Sequence, residues 1–182
     1  ISGVNAMTIA LAALAKSGDT IATIAPSNGG HTITRPLAER LGLKVVYLPY
    51  DQERFLIDIP LAQDFLNEKK VSLIYLDQCH ILFPYNLAEL RERTDRTIYY
   101  DGSHVMGLIF GKLFQDPIHE GATFLGGSTH KTIPGPHKAF IATNNEEQFK
   151  QIARYGNIFV SHDHGGDVAP DLHLVNGKVH RL

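Results

Sequence analysis

The chain has 182 residues, 43% of them hydrophobic and 20% charged, a balance that allows one domain with a sizeable core and excludes an intrinsically disordered chain. A formal net charge of -2 lacks the basic excess that nucleic acid or an anionic membrane selects, so neither is expected as a partner. A single cysteine, Cys79, excludes an intrachain disulfide framework and a multi-cysteine zinc site, which suits a reducing cytoplasm, and no apolar stretch reaches the roughly 20 residues of a membrane span.

The chain opens on Ile1-Ser2-Gly3, which reads as a loop running into a helix; it carries no signal-peptide pattern and is expected to be a fragment truncated at both ends. Residues 5–16 are rich in good helix formers and stop at Ser17-Gly18-Asp19. Short apolar, β-branched runs then predict strands over 20–24, 44–48, 71–76, 97–100, 123–125 and 139–142. Between and after them, three- and four-residue spacing predicts helices over 32–41, 60–69, 86–93 and 146–154. This alternation indicates an α/β chain with three layers, α/β/α, around a mostly parallel sheet. The expected core unit is 1–160, followed by a loop and short segment over 161–182. In that last stretch, His162, Asp163, His164 and Asp167 form a polar loop without a second ligand cluster, so no metal is expected. Asn176-Gly177 between short alternating runs predicts a hairpin.

The chemistry concentrates in two segments. Asp101 ends the apolar run Thr97-Ile98-Tyr99-Tyr100 and so sits at the carboxyl end of a strand, where open α/β sheets bind ligands. Lys131 lies 30 residues later in Ser128-Thr129-His130-Lys131-Thr132-Ile133-Pro134-Gly135-Pro136, among hydroxyls and a Gly-Pro turn. An aldehyde cofactor needs an amine to form a Schiff base, and a carboxylate against a pyridine nitrogen keeps that nitrogen protonated so the ring accepts electrons. The pair therefore suggests pyridoxal 5'-phosphate. His31, His104 and His130 are candidates for proton transfer or ring contact, having side chains that titrate near neutral pH. Neither a G-x-G-x-x-G run nor a lysine-containing phosphate loop supports a nucleotide site.

Ser2-Gly3 before a helix, Gly18-Asp19-Thr20-Ile21, Gly29-Gly30-His31, Leu48-Pro49-Tyr50, Asp101 with His104 and Gly107, and Thr129-His130-Lys131-Thr132 followed by Gly135-Pro136 together resemble serine hydroxymethyltransferase. That family has the aspartate aminotransferase fold, fold type I, and the resemblance runs from residue 2 to about 155. It implies that Lys131 forms the Schiff base, that Asp101 holds the pyridine nitrogen, that His31 stacks on the ring and that His104 lies near the ring hydroxyl. Ser2, Gly3 and Val4 would lie at the cofactor phosphate, where the free N–H groups opening a helix favour an anion. Ser128 joins this cofactor-binding set. Asp77 or Gln78 would be the nearest equivalent at the ring hydroxyl.

Three departures accompany the resemblance. Val4 stands where the family has serine, His137 where it has arginine after Gly-Pro, and Asp77-Gln78-Cys79-His80 where it has a Ser-Ala-Tyr type segment. The family's N-terminal tyrosine and glutamate and its C-terminal carboxylate-binding arginine have no counterpart here. The expected function is cleavage or formation of a Cα–Cβ bond in a small amino acid, by a cytoplasmic homodimer in which Gly165-Gly166 would supply the glycine loop that reaches a neighbouring subunit. The departures weigh against tetrahydrofolate as a second cofactor. They leave open a threonine aldolase or transaldolase without folate, or an inactive relative serving as an interaction protein.

Overall fold

The computed structural model describes residues 2–159 and the strand residues 173–175 and 178–180. Its elements are α1 (Gly3–Leu14), β1 (Thr20–Thr23), a 3-10 turn (Pro26–Asn28), α2 (Thr34–Arg40), β2 (Lys44–Tyr47), β3 (Tyr50–Asp51), β4 (Leu56–Ile57) and α3 (Ile59–Glu68). They continue with β5 (Val71–Leu76), α4 (Leu87–Glu92), β6 (Thr97–Asp101), α5 (Met106–Phe110), β7 (Phe124–Ser128), β8 (Ala139–Ala142), α6 (Glu146–Phe159), β9 (His173–Val175) and β10 (Lys178–His180).

Six strands form the main sheet in the order β2-β1-β5-β6-β7-β8. All neighbours are parallel except β7 and β8, which pair antiparallel at one edge. The alternating side chains of each strand separate two cores. Ile21, Leu73, Tyr75, Tyr99 and Phe124 face α1, α2 and α6, where they meet Met7, Leu11, Ala38 and Ile152. Ala22, Ile74, Leu76, Ile98, Tyr100 and Leu125 face α3, α4 and α5, packing on Leu66, Leu90 and Met106. The fold is therefore α/β with helices on both faces of a mostly parallel sheet, as the alternation of patterns implies.

Helix α1 starts earlier than the expected residue 5, because Ser2 and Asn5 close a capping box: the Ser2 hydroxyl accepts from the Asn5 N–H and the Asn5 side chain accepts from the Ser2 N–H. Its buried face includes Ala6, Ala10 and Ala13, small enough to bring the helix close to β7 and β8. Strand β7 runs to Ser128, three residues past the expected end. A two-strand hairpin, β3 with β4, and the short helix α5 were not expected. The pairing of β9 with β10 fits the hairpin expected there; Asn176-Gly177 itself lies outside the described residues, as does the 161–167 loop.

Sheet order places the site. Strand β1 has β2 on one side and β5 on the other, so consecutive connections leave it in opposite directions, and a crevice opens at the carboxyl ends there. Residue 31 follows β1, Asp77 follows β5, and Asp101 and Ser128 end β6 and β7, all at the same edge of the sheet.

Candidate active site

A cleft of about 590 Å³ opens at this edge and is lined by the N-terminus of α1, the loop after β1 and the ends of β5, β6 and β7. It brings together Ser2, Gly3, Val4, His31, Asp77, Asp101, His104, Ser128, His130 and Lys131, every candidate the sequence supplied. Gln78, Ser103 and His137 share the wall.

Lys131 follows β7 in an irregular segment, and its Nζ lies 2.9 Å from Nε2 of His104. The segment is tied at both ends. Thr129 donates its hydroxyl to the Pro136 carbonyl at 2.8 Å, and the Thr132 hydroxyl accepts from the Gly107 N–H at 3.0 Å. His104 stands on the turn between β6 and α5, so the contact joins two separate connections above the sheet. Burial, then the Lys131 charge, lowers the pKa of both His31 and His104, with Asp101 acting in the opposite sense. Both rings are thus mainly neutral near pH 7.

Asp101 is buried and held from two sides. Its Oδ1 accepts from the Ser103 N–H at 3.0 Å, and its Oδ2 accepts from the Tyr75 hydroxyl at 3.4 Å. Tyr75 in turn stacks on Tyr99 with ring centroids 4.7 Å apart. Asp77 follows the last β5 residue; the register Tyr75↔Tyr99 and Leu76↔Tyr100 makes Asp77 and Asp101 successive neighbours on adjacent strands. Its Oδ1 accepts from the Thr23 hydroxyl at 2.6 Å, and burial pushes its carboxyl up to about 7.

The wall has unmet polar capacity. Asp77 Oδ2, Ser128 Oγ and His130 Nδ1 are buried without a hydrogen-bond partner. Buried polar atoms are normally satisfied, so three orphans around one cleft fit a polar ligand. The His130 ring stacks on His137 at a centroid distance of 3.8 Å. At the other wall Gly3 faces Ser128, where a Cβ would meet the Ser128 side chain at an ordinary contact distance of 3.4 Å. Val4 lies beside it, 44% exposed, and brings no side-chain donor. Among the described residues no group of three His, Cys, Asp or Glu side chains could hold a metal.

No family model matches the chain. It is 38% identical over 160 residues to serine hydroxymethyltransferase of Thermoplasma volcanium, covering 85% of this chain and 38% of that protein. It is 35% identical over 153 residues to fluorothreonine transaldolase of Streptantibioticus cattleyicolor, covering 84% of this chain and 24% of that one. The fold matches the crystal structure of L-threonine transaldolase from Pseudomonas fluorescens in its internal aldimine state, with a TM-score of 0.82 and 30% identity over 87% of this chain and 37% of that one. The chain is serine hydroxymethyltransferase-like, with the core of fold type I. It spans about two fifths or less of the length of these relatives.

Several residues of this hydroxymethyltransferase-like site escaped the sequence reading. Gly126 and Gly127 lie within β7, where an added Cβ on Gly126 would sit 2.0 Å from the Tyr99 hydroxyl and one on Gly127 would sit 2.9 Å from Asp101 Oδ1. Their adjacency just ahead of Ser128 was the available signal. Ser103 contributes twice, its N–H to Asp101 and its hydroxyl accepting from the Ser128 N–H at 2.8 Å. The Gln78 amide donates to the Asn28 carbonyl at 2.7 Å and to the Tyr50 hydroxyl at 2.9 Å, which anchors the loop that carries His31. Asp77 Oδ2 is buried without a partner, and both Asp77 and Gln78 line the cleft.

Proposed function

We propose that the chain carries the cofactor-binding core of a pyridoxal-phosphate enzyme that makes or breaks the Cα–Cβ bond of a small amino acid. What carries this reading is the convergence of Lys131, His104 and Asp101 on one cleft at the switch point of the sheet. Lys131 supplies the amine that attaches the cofactor's aldehyde carbon. Its nucleophilic form must first lose a proton, and neutral His104, with Nε2 2.9 Å from Nζ, is placed to receive it. Asp101 would pair with the pyridine nitrogen; the Ser103 N–H and Tyr75 hydroxyl keep its carboxylate fixed for that role. Ser2, Gly3, Val4 and Ser128 would hold the phosphate through the opening of α1 and the Ser128 hydroxyl. His31 would cover the ring face and exclude water there, and His130, stacked on His137, would serve the substrate in the same cleft. When bound, pyridoxal phosphate supplies the electron sink for the pair released at the substrate's α carbon.

The activity is hydroxymethyltransferase-like, with a transaldolase as the second reading. Similarity to two transaldolases, together with Asp77-Gln78-Cys79-His80 in place of the family segment, favours carrying the second. We further propose, on the family resemblance, that the protein works as a cytoplasmic homodimer whose cofactor-binding core is residues 1–160. No described helix is long and apolar enough to cross a membrane. Incubation of the whole protein with threonine and a second aldehyde, and separately with serine with and without tetrahydrofolate, separates the readings. Folate-independent formation of a β-hydroxy amino acid from the second aldehyde supports the transaldolase; strict dependence on folate with serine supports the hydroxymethyltransferase. Absence of both products would overturn the proposed chemistry.

A further inference from the structure

Asp77 is only 4% exposed, and a carboxyl so buried stays ionised only if a cation or several donors compensate its lost hydration. Compensation is incomplete. The Thr23 hydroxyl donates to Oδ1, the Thr34 hydroxyl also favours the charged form, and Oδ2 has no partner although it borders the cleft. None of the groups packed against it is a cation, and Lys131 and His31, which line the same cleft, are not hydrogen-bonded to it. Thr23 of β1 and Thr34 of α2 are neutral; Tyr75 of β5 and Tyr85 ahead of α4 are phenols that burial keeps protonated; the Cys79 thiol is pushed up by burial; and Asp101 of β6 is another acid.

Two acids in successive register on adjacent strands stand roughly 5 Å apart at their backbones. A like charge this near adds to the burial that raises the Asp77 carboxyl. Asp101 accepts from two donors outside the pair and Asp77 accepts at one oxygen alone, so of the two acids Asp77 is the one to hold a proton. An acid with a proton on Oδ2 turns an unsatisfied acceptor into a donor aimed into the cleft, which also removes the orphan.

We propose that Asp77 is a neutral carboxylic acid in the loaded site and donates from Oδ2 to the ionised ring oxygen of the cofactor. This rests on the pyridoxal-phosphate reading above and specifies its second polar contact. With burial pushing the free carboxyl to about 7, the empty site is poised between charge states at neutral pH; an anion at Oδ2 favours the protonated form further. Asp77 and Asp101 would thereby divide the work, one donating to the ring oxygen and one accepting at the pyridine nitrogen, although they are the same residue type one strand apart.

The test uses the whole cofactor-loaded protein and its cofactor-free form, wild type beside Asp77→Asn and Asp77→Ala. Difference infrared spectra of the cofactor-free form, titrated through about pH 7, should show the carbonyl stretch of a protonated acid giving way to carboxylate. Asp77→Asn should abolish that signal. In the loaded protein the signal should persist to higher pH, and the Lys131-dependent absorbance band should survive in Asp77→Asn, whose amide still donates. Asp77→Ala should bind the cofactor roughly tenfold more weakly or worse and shift the band. An acid signal unchanged in Asp77→Asn places the proton elsewhere and overturns the proposal. So do cofactor affinity and band unaltered in Asp77→Ala. A wild-type protein that never develops a Lys131-dependent band would instead refute the cofactor reading, with the infrared titration still deciding the state of Asp77.

Discussion

Around Asp101, backbone without side chains is as necessary as the carboxylate. Tyr99 and Asp101 lie on one face of β6 beside Gly126 and Gly127 of β7, and the φ of Gly127 is +143°, a conformation that side chains strain. Gly126 gives up its Cβ so that the Tyr99 ring can fill the space, and Tyr99 then supports Tyr75, which donates to Asp101. A chain of contacts thus fixes the carboxylate from behind. Gly126→Ala must displace Tyr99 or the Phe140 carbonyl, 2.9 Å from the new Cβ. We expect a loss of about 2–4 kcal/mol in denaturant unfolding, with weaker cofactor retention because Asp101 loses its support. Unaltered stability would show that the strand accommodates a side chain there and that the support is not needed.

At the scale of elements, the Lys131 segment depends on α5, a helix of five residues whose N-terminal turn carries His104. Gly107 approaches Thr132 so closely that a Cβ would lie 2.3 Å from the Thr132 carbonyl, and its N–H is bonded to the Thr132 hydroxyl. Thr132→Val keeps the shape and removes the hydroxyl, which should cost about 1 kcal/mol of local stability. Hydrogen exchange should report it: faster exchange of the Gly107 amide, with core strands such as β5 unaffected. Equal exchange in both proteins would mean that the bond does not restrain the segment. Such ties explain what the sequence could and could not reveal. Residues 71–76 and 139–142 were legible as strands because continuous apolar runs end at polar or turn residues. Strand β7 was cut short because glycines weaken a strand pattern, and only the approach of Tyr99 and Ser103 explains why they belong there. The β3–β4 hairpin has two residues per strand, too few for any period, and α5 has too few residues to present one.

For the whole molecule, the order of strands does what no motif does alone. Asp101 and Lys131 were legible as chemical types, and the sheet turns 30 residues of separation into one cleft by placing β6 beside β7 and returning the chain over their carboxyl ends. The β1–β5 crevice then adds His31 and Asp77 from distant parts of the chain. Tyr75 and Thr23 remained invisible in the sequence because their hydrogen bonds cross between strands and depend on register, and Ser103 because its turn folds back on Asp101 and Ser128. The central claim is that Lys131 is the amine that holds pyridoxal phosphate. Borohydride reduction of the loaded protein followed by peptide mapping tests it most directly. The account predicts a stable cofactor adduct on Lys131 and none on Lys131→Ala; an adduct on another lysine, or none on the wild type, would contradict it.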